Sequence, residues 1–179
     1  TGAVKKKDGL YLQADGGTLF LDEISTLKPE LQAKILRVLE ERAVRRLGGN
    51  AEIKVDVRIV AATNRDLADM VAAGLFREDL YHRLNVVQMR LPALRDRTED
   101  IPSLVGFFIK HFNAEMGKRI VGAEADAVAM LRAYHWPGNI RQLRNAVERA
   151  MLFAEGDQLE AGNFPPEIVD WWQKQKQTA

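Results

Sequence analysis

The run Gly16-Gly17-Thr18-Leu19-Phe20-Leu21-Asp22-Glu23 constrains the fold of this chain more than any other stretch. A short apolar strand ends abruptly in two adjacent carboxylates. In α/β sheets, ligands gather outside the carboxyl ends of the strands. A strand that delivers Asp22 and then Glu23 to that edge is therefore placed to work on a metal and a water. The same residues also suit a strand stopped at a polar turn, with its acids solvated or capping the next helix.

The flanking pattern extends this strand into an α/β unit. Pro29 to Arg42 is predicted as an amphipathic helix with Leu27, Leu31, Ile35, Val38 and Leu39 on one stripe and Pro29 in its first turn. Gly48-Gly49-Asn50 marks a turn. Ile53, Val55 and Val57 alternate, and Ile59 to Ala62 is continuously apolar, which predicts a half-buried ribbon leading into a central strand covered on both faces. That strand ends in Thr63-Asn64. A helix over Asp66 to Ala73 stopped by Gly74, a short helix over Arg77 to Leu84 and a strand over Val86 to Leu91 follow. This alternation predicts an α/β sandwich around a mainly parallel sheet.

Pro92 marks a change of character, and from Thr98 the pattern is helical throughout. Ile101, Leu104, Val105, Phe108, Ile109 and Phe112 form a 3.6-residue stripe ended by Gly117. Ala125 to Tyr134 is a second helix. Trp136-Pro137-Gly138 is a break after which Asn139 is expected to cap a third helix bearing Ile140, Leu143, Val147 and Ala150. The expected division is an α/β part over 1–95, a small helical part over 96–168 and a tail or linker over 169–179.

Composition excludes several classes. The 179 residues suit one domain or a domain with a small companion, and a net charge of +1 gives no global field toward nucleic acid or membrane. Absence of cysteine rules out disulfides and thiolate metal sites, and fits a reducing compartment. No apolar run approaches the roughly 18 residues of a membrane span, and no signal peptide is visible. The chain opens on Thr1 rather than Met, as expected of a piece of a longer protein. Lys5-Lys6-Lys7 and Arg42, Arg45 and Arg46 read as solvated basic faces.

Phosphoryl transfer depends on neutralising charge around the transferring group. In that chemistry Asp22 would hold Mg²⁺ through its water shell, and Glu23 would polarise the water that attacks a γ-phosphate. Thr63 and Asn64 sit where they can orient water or sense the γ-phosphate, although Asn64 also suits a turn. Arg77 and Arg83 suit either trans-acting fingers or local pairing, with Asp79 the i,i+4 partner of Arg83. Six residues apart on one helix they would diverge by about 120°, unless Arg77 precedes the regular helix. Arg141, in the first turn of a helix, is suited to phosphate or simply exposed. No G-x-x-x-x-G-K-[ST] occurs, so nothing in the sequence cradles α- and β-phosphates.

In order and spacing these segments resemble the central AAA+ domain of the bacterial sigma-54-dependent transcriptional activators, from Thr1 to about Pro166. Gly16 to Glu23 is similar to the family's Walker B, Ala61-Ala62-Thr63-Asn64-Arg65-Asp66-Leu67 to sensor I, and Phe76 to Asn85 to the arginine-finger segment. Leu94-Arg95-Asp96-Arg97 with Glu99-Asp100-Ile101 resembles the entry to the helical lid, and Trp136-Pro137-Gly138-Asn139-Ile140-Arg141-Gln142-Leu143 resembles sensor II. Thr1-Gly2-Ala3 resemble the last half of the G-A-F-T-G-A loop that contacts sigma-54.

The resemblance implies a partial AAA+ P-loop NTPase core followed by an all-helical lid. It implies a cytoplasmic, ring-forming ATPase, a hexamer or heptamer, that uses ATP and Mg²⁺ to remodel the sigma-54 RNA polymerase closed complex. Asp22 would hold the metal, and Glu23, Arg77 and Arg83 would act in hydrolysis, the arginines across the subunit boundary. Thr63, Asn64 and Arg141 would contact the nucleotide, and Thr1, Gly2 and Ala3 would contact sigma-54. A helix-turn-helix outside this chain would bind DNA, and no membrane partner is implied. Without a P-loop, this chain is expected to bind ATP weakly or not at all and not to turn over alone. The other reading is a non-catalytic interaction module on the same fold, and direct DNA binding through Arg42, Arg45 and Arg46 is disfavoured by the near-zero net charge.

Overall fold

The computed structural model describes residues 9–45 and 51–178 and divides into two compact units, 1–89 and 90–179. Each unit has its own hydrophobic cluster. No helix among the described residues is long and apolar enough to cross a membrane.

The first unit is α/β. A single helical turn, α1 (Leu10–Gln13), precedes β1 (Thr18–Leu21), which pairs in parallel with β4 (Arg58–Ala61). Between them lie α2 (Pro29–Glu41) and the antiparallel pair β2 (Ala43–Arg45) and β3 (Glu52–Lys54). The helices α3 (Leu67–Ala72) and α4 (Glu78–Leu84) follow. Asp66 caps α3, its carboxylate accepting the Ala68 and Asp69 N–H groups. Ile24, Leu36, Met70, Phe76 and Leu80 are buried together, so the core lies where the start of α2 meets α3 and α4.

Two expectations fail here for the same reason. Ile59 to Ala62 was expected as a strand covered on both faces, yet among the described residues β4 has β1 as its hydrogen-bonded neighbour and its side chains are half-buried or exposed. Val86 to Leu91 forms no strand, and Val86, Val87, Met89 and Leu91 are exposed. A strand exists only as one side of a ladder, and apolar β-branched composition supplies no partner by itself. The α2 stripe is also displaced. Leu31 is exposed, whereas Gln32 and Leu36 are buried.

The second unit is mainly helical: α5 (Ile101–Met116), α6 (Ala125–Ala133), α7 (Asn139–Phe153) and α8 (Pro166–Thr178). It is not purely so, since β5 (Gly122–Ala123) and β6 (Gln158–Leu159) form a short parallel pair. The segment 169–179, expected as a tail, continues α8 to Thr178. Trp171 and Trp172 pack against the core, and Lys176 pairs with Asp126 of α6 at 2.6 Å, holding the Asp126 carboxyl below its ordinary range. The Lys118 ammonium donates to the carbonyls of Met151, Leu152 and Ala154, placing a cation at the C-terminal end of α7.

The entry to α7 is a tight corner. Trp136 and Asn139 both have left-handed backbones, at φ 43° and 50°. Trp136 is fully buried and its indole N–H donates to the Leu131 carbonyl at 2.7 Å. Asn139 does not cap α7. Its Oδ1 accepts the Leu94 N–H at 2.8 Å, tying the corner to the segment before α5. The reach-back bond comes from Gln142, whose Oε1 accepts the Gly138 N–H at 3.0 Å.

Leu143, 0% exposed, and Ile140, 40% exposed, share α7 but differ in burial. Leu143→Ala is expected to destabilise the second unit by about 2–5 kcal/mol, and Ile140→Ala by no more than about 0.5 kcal/mol, as read by urea denaturation. A Cβ on Gly138 would lie 2.8 Å from the Gln142 Cβ. Gly138→Ala is therefore expected to lower the melting temperature measurably, and an unchanged melting temperature would contradict this account of the corner.

Candidate functional site

The parallel register of β1 and β4 sets Leu21 opposite Ala61. The ladder continues one step, because the Ala62 N–H donates to Leu21 O at 2.8 Å and the Ile24 N–H donates back to Ala62 O at 3.0 Å. Asp22-Glu23 and Thr63-Asn64 thus leave adjacent strands at the same carboxyl edge. All four residues are exposed.

The acid corner is shaped by its backbone. Glu23 is left-handed, at φ 49° and ψ 44°, a conformation that a non-glycine residue adopts at a cost of about 1–2 kcal/mol. Three bonds offset that cost. Asp22 Oδ1 accepts the Glu23 N–H at 2.9 Å, and Glu23 O accepts the Thr26 N–H at 2.9 Å and the Thr26 hydroxyl at 2.8 Å. Ile24, 1% exposed, anchors the turn in the core. Backbone strain held this firmly is characteristic of functional corners.

Among the described residues no group of three or more His, Asp or Glu side chains comes together to enclose a metal. The exposed Asp22 carboxylate fits Mg²⁺, which keeps several waters and takes only one or two carboxylates beside phosphate oxygens. Across the edge, Thr63 Oγ1 accepts the Arg65 N–H at 3.1 Å and fixes the turn, while the Asn64 side chain is exposed.

Arg77 precedes the regular helix. It is the N-cap residue of α4 with extended backbone angles, and its guanidinium forms a two-point pair with Asp79, Nε to Oδ1 at 3.0 Å and Nη2 to Oδ2 at 2.6 Å. This pairing, more than any other contact, holds the Asp79 carboxyl below its ordinary range and pushes Arg77 up. Asp79 is therefore bound to Arg77, not to Arg83 as i,i+4 spacing suggested. Arg83 Nη2 instead donates to Leu39 O at 3.1 Å, in the last turn of α2.

Sequence reasoning missed Gln32. It is 1% exposed and uses both ends of its amide. Nε2 donates to Leu27 O at 2.9 Å and Leu75 O at 3.2 Å, and Oε1 accepts the Arg77 N–H at 2.9 Å. Emptying that position would leave three backbone groups short of a partner, at about 1–3 kcal/mol each when they stay buried. The signal was its spacing: Gln32, Leu36 and Leu39 fall on one helical face.

Arg141 belongs to the second unit, in the first turn of α7, where it is exposed. It lines a groove of about 460 Å³ with Gly138, Asn145, Arg149 and Glu167. A larger hollow of about 690 Å³ in the first unit is lined by Val57 to Ala61, Arg83, Val86 and Val87, and neither Asp22 nor Glu23 borders it. Thr1, Gly2 and Ala3, together with Lys5 to Lys7 and Arg46, lie outside the described residues.

Comparison with known proteins agrees with this geometry. Residues 1–90 match the family described as the sigma-54 interaction domain, and residues 95–179 match the AAA+ ATPase lid domain. The transcriptional regulatory protein ZraR of Escherichia coli is 50% identical over 94% of this chain and 38% of its own length. The nitrogen fixation protein AnfA of Azotobacter vinelandii is 48% identical over 94% of this chain and 32% of its own length. A crystal structure of NtrX from Brucella abortus in complex with ADP matches with a TM-score of 0.85 and 47% identity, over 93% of this chain and 39% of that one. The chain thus spans little more than a third of the length of such relatives. The family match over residues 1–90, reinforced by the lid match that follows, establishes that this chain belongs to the sigma-54-dependent transcriptional regulators and carries the α/β architecture of their AAA+ ATPase domain.

Proposed function

We propose that this chain works within a longer sigma-54-dependent activator, as the part of its ATPase domain that carries the hydrolytic acids, the γ-phosphate sensors and the arginines. The observation that carries this reading is the register of β1 with β4, which sets Asp22-Glu23 beside Thr63-Asn64 at one strand edge. The whole protein would hydrolyse ATP to remodel the sigma-54 RNA polymerase closed complex in the cytoplasm, working as a ring of identical subunits, a hexamer or heptamer. Promoter DNA would be bound through a helix-turn-helix outside this chain. That NtrX from Brucella abortus has been solved with ADP and with ATP supports a nucleotide as the ligand.

Asp22 would hold Mg²⁺ through water, and the ion would supply charge neutralisation at the phosphates. Glu23 orients and polarises the attacking water. Thr63 and Asn64 read the γ-phosphate from the neighbouring strand end, and Arg141 ties the lid to the nucleotide. Arg77 and Arg83 face a neighbouring subunit's nucleotide, where an arginine supplied in trans can add about 10³–10⁵ in rate. Thr1, Gly2 and Ala3 would contact sigma-54.

The second reading is a non-catalytic module, favoured by one observation: both guanidinium groups are already bonded within the chain, Arg77 to Asp79 and Arg83 to Leu39 O. Turnover separates the two readings. In the full-length protein Glu23→Gln is expected to retain Mg-ATP binding and to lose about 10²–10⁴ in turnover. Arg77→Ala is expected to lose about 10³ or more. Absence of ATP hydrolysis by the wild-type full-length protein would leave only the module. The isolated 179-residue chain contains no G-x-x-x-x-G-K-[ST] and is expected to show no micromolar affinity for Mg-ATP by calorimetry. A micromolar isotherm would overturn that expectation.

A further inference from the structure

We propose that Gln32 is the positioning residue of Arg77: from inside α2 it fixes where this subunit presents its arginine to the next. The inference rests on the reading of Arg77 as a trans-acting group given above. Gln32 is buried and polar at a helix position whose neighbours on the same face, Leu36 and Leu39, are apolar. An apolar side chain there would leave three backbone groups without their partners. What the amide adds is direction. Its oxygen accepts the N–H of Arg77 itself at 2.9 Å, and its nitrogen holds Leu75 O, two residues earlier, at 3.2 Å. The loop that delivers Arg77 is therefore pinned to α2 by one side chain. The remaining bond, to Leu27 O at 2.9 Å, pins that side chain to the entry of its own helix.

The pin acts on a residue whose own carbonyl accepts the Tyr81 N–H at 3.0 Å in the first turn of α4, and whose N–H is held by Gln32. Arg77 stands outside the regular turns of α4, so α4 itself does not set its backbone angles. Its guanidinium is bound to Asp79 in the first turn of α4, a contact along the chain that does not reach α2. The Leu75 and Phe76 N–H groups hold the loop to Met70 O of α3, and Gln32 supplies the side-chain anchor of Arg77 to α2. Arg83 has a parallel attachment seven residues further along α2, at Leu39 O. One face of α2 therefore carries the reference points for both arginines. Displacing a catalytic group by about 1 Å can cost about 10²-fold in rate.

The test uses mixed assemblies of the full-length protein. Gln32→Met, similar in size and without the amide, is expected to lower turnover about 10²-fold while nucleotide binding stays intact. Gln32→Met subunits are then mixed with Glu23→Gln subunits, which keep their arginines and lack the acid. Turnover is expected to rise above that of either variant alone, because intact acids now meet a well-placed arginine. Mixed with Arg77→Ala subunits, Gln32→Met is expected to give no recovery, since neither partner presents a working arginine.

The opposite pattern, recovery with Arg77→Ala and none with Glu23→Gln, would place the effect of Gln32 on its own subunit's acids and overturn the assignment. Recovery in both mixtures or in neither would also overturn it. Where Gln32→Met does not assemble, Gln32→Leu takes its place in both mixtures with the same outcomes. The control mixture of Glu23→Gln with Arg77→Ala must itself recover. Its failure would refute the trans role of Arg77, a result separable from failure of Gln32 alone.

Discussion

The parallel ladder between β1 and β4 is the interaction on which the rest of the first unit depends. Four residues of each strand pair in register, and the chain hydrogen bonds once more across the ends through Leu21, Ala62 and Ile24. That last exchange turns two separate polar strand ends into one edge. It also draws Glu23 into a left-handed corner and sends the chain toward α2. The helix then carries attachment points for Arg77 and Arg83, so the acids and the anchors of both arginines lie on one continuous stretch.

The second unit is organised differently. Its cluster is broad and apolar, running from Leu94 through Trp136 and Leu143 to Ile168, and single polar contacts fix its corners rather than its bulk. Asn139 ties the start of α7 to the Leu94 segment, and Lys118 closes the far end of that helix. Hydrophobic burial gives such a unit its stability, and polar contacts of this kind select one arrangement among similar ones.

Most helices were legible in the sequence because their periodicity was long enough to be unambiguous: α2, α5, α6 and α7 all form over the predicted segments, although the buried face of α2 is displaced from its predicted stripe. The acid-bearing strand was legible because composition and punctuation agreed. Failures came where tertiary partners decide. Among the described residues, Val86 to Leu91 has strand composition and no ladder, and Ile59 to Ala62 has the pattern of a covered strand with one neighbour. Asn139 has the chemistry of a cap but spends its oxygen on Leu94, forty-five residues away in sequence. Asp79 has two candidate arginine partners in the sequence, and helical spacing favoured the wrong one because Arg77 stands before the helix. Gln32 was overlooked because polarity is ordinarily a sign of exposure.

The bond from Arg83 to Leu39 O has a consequence beyond geometry. The final turn of α2 contains no basic side chain of its own, so the charge that complements that helix end is borrowed from α4. A phosphate that attracts Arg83 competes with a carbonyl for the same guanidinium. The two events are linked equilibria, and linkage is reciprocal: whatever free energy phosphate capture draws from the end of α2, ordering that end returns as resistance to capture. In the proposed ring, the helix end and the neighbouring subunit's nucleotide would be rival ligands of one side chain.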